Sequence, residues 1–398
     1  MFLLGAFTLF VVAVLVLPGR VASALGSITA TADLRAEPIE GTVLLQDPND
    51  FAWKQLREPI LLTAGSRIAT DATSRAFLEL FDGSTVYLYN NTEFLIERSA
   101  RGWLRHDVKQ LQFRIDRGRA IFGVASTADE TQRRFWLYAN QGRMEFVEGS
   151  YLVELLADER TEVLVRSGEA LLSNGGELAK IGLGGRGGYI ADIAPNGNLP
   201  PTSPLLNDSE LADLMLASPW QSFVVTETGI DGQATRSSFD TDPNGSASRN
   251  RDTGYRFRRM AANSEQVNRH GEAGIAQTID RDIRDYSVLQ IRTRVKVNFQ
   301  SLSGGGSVGT EYPVMIKIYY VDGGGQDQIW YHGFYHQNED GFSVAGASAV
   351  PTGEWVTYEN PDLLHAINPP PIFIRRVEVL GSGWEFDSYV TEVSLEGR

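Results

Sequence analysis

Short runs that alternate between apolar and polar residues fill most of this chain. Ala76-Phe77-Leu78-Glu79-Leu80-Phe81 and Val86-Tyr87-Leu88-Tyr89 flank Asp82-Gly83-Ser84. An Asp-Gly pair between two β-prone runs predicts a tight hairpin, of type I′ if both central residues take positive φ. Further strands are predicted at Gly118–Phe122, Phe135–Tyr138, Met144–Val153 and Thr161–Ala170. Beyond Trp220 the alternation returns in Ile275–Ile279, Leu289–Val297, Val314–Tyr320, Ile374–Val379 and Tyr389–Leu395. Period-two runs of this number, apolar on one side and polar on the other, predict sheets packed face to face. The fold class is therefore all-β.

Three passages break the pattern. Phe2–Leu17 is apolar except for Thr8, and Ala22-Ser23-Ala24 follows as a small-residue cleavage site. Residues 1–24 are expected to be a signal peptide or membrane anchor that directs export, although no Lys or Arg precedes the run. Residues 25–40 are small and polar and read as a spacer. Residues 196–218 read as a Pro-rich linker, with a short helix over Asp208–Leu216 that Asp208 caps and Pro219 ends. The expected organisation is thus a leader (1–24), a spacer (25–40), a β domain (41–195), a linker (196–218) and a second β domain (219–398).

Composition narrows the function. The chain has no cysteine, which excludes disulfides, thiolate metal sites and cysteine nucleophiles. Its formal net charge is −14. A general nucleic-acid surface needs basic density to replace phosphate counterions, so nucleic acid is not expected as a partner. Arg256-Phe257-Arg258-Arg259 reads as a solvated strand edge.

Two catalytic-looking patterns lack their structural context. Gly182-x-Gly184-x-x-Gly187 precedes a strand-like Gly188–Ile193, whereas a dinucleotide fingerprint opens a helix. Gly305-x-Ser307-x-Gly309 lies in a glycine-rich loop, whereas a nucleophile elbow joins a strand to a helix. His332 and His336 stand four apart on a predicted strand, ~13 Å from one another, too far to share one metal. Asp240, Asp242 and Asn244, followed by Gly245, match the first half of a calcium loop, but Arg251 stands at the twelfth position. A structural calcium is the one cofactor these residues suggest. Aromatic residues crowd the last third. Trp330, Tyr331, Tyr335 and Trp355 are candidate ligand-binding residues, since aromatic rings stack on apolar sugar faces. The competing reading is sandwich core.

The stretch from Gly65 to Ile96, with its Ser74-Arg75-Ala76 entry, Asp82-Gly83-Ser84 turn and Asn91-Thr92-x-Phe94 strand, resembles the FecR-like (iron-dicitrate-sensor-like) domain of bacterial envelope proteins. Gly118–Phe122, the Val147–Val153 core and Thr161–Ala170 extend the resemblance in order, over about residues 41–195. Ser150 stands where that family usually has Thr. Gly271-x-x-Gly274-Ile275-x-Gln277, Arg292/Arg294/Lys296, Trp355 and Gly381–Asp387 resemble a galactose-binding-like jelly roll, as found in carbohydrate-binding modules. These resemblances imply an extracytoplasmic, membrane-anchored or secreted protein of the cell envelope. It would be non-enzymatic, acting as a sensor, scaffold or ligand-binding protein, with a membrane and a glycan or envelope protein as partners. Glycan processing through the second domain is the alternative. Sigma-regulating members carry a segment ahead of the membrane span that touches the sigma factor. This sequence opens on the apolar run, so a direct anti-sigma role is not expected.

Overall fold

The computed structural model describes residues 29–398 except 104–107, 128–131, 157–158, 192, 210, 212–217, 227–231, 241–250 and 262–268. The expected leader and most of the expected helix lie outside the described residues. Among those described, no helix is long and apolar enough to cross a membrane. The architecture is all-β, with Leu363–Ala366 the single helix among the described residues. The chain divides into two compact units, Met1–Pro201 and Thr202–Arg398.

The first unit is a flattened barrel of two walls around one core. Its organising element is the strand Val108–Val124. Lys109 to Arg117 pair with Arg101 to Glu93, and Val108–Ile115 run parallel to Gln132–Ala139. From Gly118 onward the same strand pairs with Gly149–Leu155 and Thr85–Leu88 in the other wall. Gly118 has φ +91°, and a Cβ there would lie 2.5 Å from Thr92 Cα. The contact is that close because Thr92 Oγ1 donates to Arg119 O and accepts from Arg119 N, both at 3.0 Å. Phe94, Phe113, Phe122, Phe135 and Phe146 then interlock across the walls, with centroids 5.3–6.1 Å apart. Tyr151 stacks on Phe146 at 4.3 Å. Its hydroxyl donates to Glu169 O at 3.0 Å and accepts from Glu169 N at 3.1 Å.

Three expectations need correction here. Residues 25–40 are not a spacer throughout: Thr29–Thr31 and Leu34–Glu40 are strands, and Leu34 and Ala36 belong to the core. The polar letters of that segment are the outward half of an alternation. The linker also takes part in both units. Asn196–Leu199 pairs with Arg186–Tyr189, Ser203–Pro204 pairs with the last strand, and Leu206 and Leu211 are buried in the second core. Finally, the Asp82-Gly83 hairpin is not type I′. Gly83 N donates to Leu80 O at 3.0 Å, Leu80 N donates to Ser84 O at 2.8 Å, and in this loop only Gly83 has positive φ. This is a three-residue loop in which a turn of type I hydrogen bonding is followed by a left-handed glycine. Asp82 stabilises it by accepting from Ser84 N and from buried Arg133.

The second unit is a two-sheet sandwich. One sheet runs in the order Gly232–Asp240, Arg251–Arg259, Phe386–Gly397, Leu289–Gln300, Trp355–Asn360. The other runs Gln221–Thr226, Gly271–Asp282, Pro371–Gly383, Val314–Asp322, Asp327–Tyr335, Ala347–Ala349. Alternation is clean: Ile291, Val295 and Val297 are buried, while Arg292 is exposed and Arg294 and Lys296 are half-buried on the opposite face. The arginine run at 256–259 is not a strand edge. Its strand lies between two others, and Arg259 is 1% exposed, donating to Trp384 O.

The change Gly118→Ala tests the crossing between walls. Forcing positive φ on a residue with a Cβ, and fitting that Cβ against Thr92, should cost about 2–4 kcal/mol. Chemical denaturation should show the full loss, and an unchanged midpoint would refute this account of the shared strand.

Candidate functional site

The four candidate aromatic residues do not form one platform. Strand pairing explains why. Trp330, His332 and Phe334 lie opposite Ile318, Ile316 and Val314, all three of which are buried, so this face of the strand looks into the sandwich. Trp330 packs against the core, and His332 stacks on Tyr358 with centroids 4.0 Å apart. Tyr331 and Tyr335 point the other way, onto a small cluster of Tyr312, Met315 and Leu380. Tyr331 donates to Gly309 O at 3.4 Å and lines a shallow cavity of about 290 Å³ with Gly306, Val308 and Phe342. Trp355 belongs to the other sheet and stands on its outer face.

That outer face holds the most developed constellation. Lys296 pairs with Trp355 on one side and Tyr389 on the other, and Tyr389 pairs with Arg256. Across four neighbouring strands the face reads Arg256, Tyr389, Lys296, Trp355. At about 4.8 Å per strand the row spans ~14 Å. The two rings meet edge to face, with centroids 6.3 Å apart at 67°. The Lys296 ammonium lies 5.6 Å from the Trp355 centroid and 5.4 Å from that of Tyr389. The Arg294 guanidinium lies 5.5 Å from Trp355, and that of Arg256 lies 5.3 Å from Tyr389. Arg256 also makes two hydrogen bonds to the Asp387 carboxylate, at 2.7 and 2.8 Å. Burial, then the nearby Asp387 charge, pushes the Tyr389 hydroxyl above its ordinary pKa, which keeps it a neutral donor. Arg292 lies against Glu359 at 3.3 Å and Glu392 at 3.5 Å.

Sequence reasoning singled out Trp355 but missed Tyr389 and Arg256 as its companions. Alternation along Phe386–Gly397 places Tyr389 outward, yet its partners across the ladder, Lys296 and Arg256, lie more than 90 and more than 130 positions earlier in the chain. Local sequence holds no signal for that register.

The other patterns fall where their context suggested. Gly182–Gly185 is a turn, followed by the strand Arg186–Tyr189 rather than a helix. Gly305, Ser307 and Gly309 lie in a chain of turns ahead of the strand Val314–Asp322. Asp242 and Asn244 lie outside the described residues, as does the side chain of Asp240. Among the described residues, no cluster of His, Asp or Glu could hold a metal ion.

A family model described as FecR protein matches residues 66–171. No curated protein matches the chain. Among solved structures, one similar chain is a proposed anti-sigma factor from Parabacteroides distasonis, 18% identical, with a TM-score of 0.27. The match covers 33% of this chain and 59% of that one, so this chain spans less than two thirds of its length. Another is a family 11 carbohydrate-binding module from Clostridium thermocellum, in complex with a β-1,3-1,4-mixed-linked tetrasaccharide. It is 10% identical over 49% of this chain and 94% of that one, with a TM-score of 0.26. These are partial likenesses, at low identity.

His332 provides a pH test of the inward face. Burial lowers its pKa from 6.5 to about 4, so the folded state favours the neutral ring. That contribution is complete above pH 6.5 and is lost as pH falls to about 4, where the folded form takes up its proton. The melting temperature should therefore fall across this window. In His332→Gln, compared with its own value at neutral pH, the fall should be smaller. An identical pH profile in both proteins would place His332 in contact with solvent.

Proposed function

We propose that this chain is an exported, non-catalytic protein of the bacterial cell envelope that captures a polysaccharide on the second unit. In this reading the FecR-like unit is a sensor or scaffold module, and the outer face around Trp355 is the receptor surface. The observation that carries it is the pair of half-buried rings, Trp355 and Tyr389, on the outer strand face, framed by charged side chains. Rings so placed bury the apolar faces of pyranoses, and a few polar groups fix orientation. Export and membrane tethering are supported by the apolar run at Phe2–Leu17 and by the FecR match. Glycan processing finds less support on this face. Asp387, Glu359 and Glu392 each lie against an arginine rather than converging on an open space.

Two tryptophans separate platform from packing. Trp355→Ala should weaken glycan binding at least tenfold and shift melting little. Trp330→Ala should cost about 2–4 kcal/mol of stability, the scale for removing a large side chain packed on a core, and leave binding intact. A glycan array followed by calorimetry on the full chain reads both. Unimpaired binding by Trp355→Ala would overturn the assignment of this face.

A further inference from the structure

The row Arg256–Tyr389–Lys296–Trp355 is not symmetric in its charge balance. Arg256 is answered by Asp387, and Arg292 by Glu359 and Glu392. Lys296 differs. Its described neighbours are two ring faces, and among the described residues no carboxylate lies within ion-pair distance of its ammonium. Its stem is half-buried along the strand face, so its ammonium is held between the two rings at the centre of the row. In a chain with a net charge of −14, the middle of this face thus carries an ammonium that no described carboxylate pairs.

The geometry points to an acidic polysaccharide, a chain of uronate sugars, as the ligand of this face. The inference rests on the reading of the Trp355 face given above and names its ligand class. A uronate residue carries an apolar C–H face for a ring and a carboxylate on the same sugar. Laid along the row, its sugar faces would meet Trp355 and Tyr389 while a carboxylate meets Lys296. A neutral glycan would cover the Lys296 ammonium without supplying an anion, and burying a charge unpaired is costly. Single-stranded nucleic acid also combines flat faces with anions. It draws its affinity from dense basic charge, whereas Asp387, Glu359 and Glu392 line this face and neutralise Arg256 and Arg292.

The test uses the full chain with oligogalacturonate, alginate and hyaluronan oligomers, the carboxyl-reduced form of whichever oligomer binds, and oligo(dT). Lys296→Met retains the stem and removes the charge. The expected result is that at least one uronate oligomer binds, more weakly as salt rises, and that its carboxyl-reduced form binds at least tenfold less tightly. Lys296→Met should lose about tenfold for the acidic oligomer, as removal of a charge-assisted contact does, with a flatter salt dependence and unchanged melting. Equal binding of acidic and reduced oligomers, or full affinity in Lys296→Met, overturns the acidic assignment. If Trp355→Ala still abolishes binding in that case, the platform itself survives. Binding of no array glycan and no uronate overturns both readings. Tighter binding of oligo(dT), lost in Lys296→Met, overturns this one in favour of nucleic acid.

Discussion

The first unit depends on one strand belonging to both of its walls. Val108–Val124 pairs in one wall up to Arg117 and in the other from Gly118. A strand can change walls only where the backbone turns out of the plane of the first ladder. Gly118 supplies that turn with a positive φ, and its missing side chain leaves space that Thr92 fills. The threonine hydroxyl accepts from the N–H of Arg119 and donates to its C=O, which also accepts from Tyr89 N. Because the walls are tied at this point, Phe94, stacked on Phe113 in one wall, can meet Phe122 from the other.

A different rule governs the second unit, where every strand has a face for the core and a face for something else. Along Leu289–Gln300 the core face is Ile291, Thr293, Val295 and Val297, and the outer face is Arg292, Arg294 and Lys296. The long basic side chains lie over neighbouring rings and keep their charged ends accessible. Such contacts stabilise each ring–cation pair modestly. The same rule explains why Trp330 is not part of it. One residue along its strand separates Trp330, in the core, from Tyr331, on the opposite face.

Arg259 shows how far a charge pattern can mislead. In the sequence it ends a basic run and reads as solvated. In the fold it is among the largest fully buried side chains, packed against Gly271, where a Cβ would lie 2.5 Å from its Nε. Its strand is central, so successive residues are divided between core and surface whatever their charge. Arg256, three positions earlier, takes the outer side and reaches Asp387.

Much of the fold was legible from the chain alone. Alternation located the long strands of the second unit, Asp82-Gly83 located the hairpin, and the ordered Gly-led strands carried the FecR resemblance that the family match at residues 66–171 bears out. These are local properties: side-chain periodicity and the steric freedom of glycine act within a few residues. The strand Leu34–Glu40 was missed because alternate burial, at Leu34 and Ala36, is a weak signal in a short strand, and Asn196–Leu199 and Ser203–Pro204 because pairing rather than any buried apolar pattern makes them strands. The type of the hairpin turn was misread because φ at Asp82 depends on the contacts of its side chain with Ser84 and Arg133. Trp355 was legible as a candidate, but whether it faced core or solvent was not. That choice, like the meeting of Trp355 with Tyr389, Lys296 and Arg256, belongs to strand register. Register is set by how the whole sandwich buries its apolar faces, and shifting it by one residue would exchange the two faces of a strand. The candidate site is therefore defined only by the tertiary structure, because its members share a surface without sharing a neighbourhood in the chain.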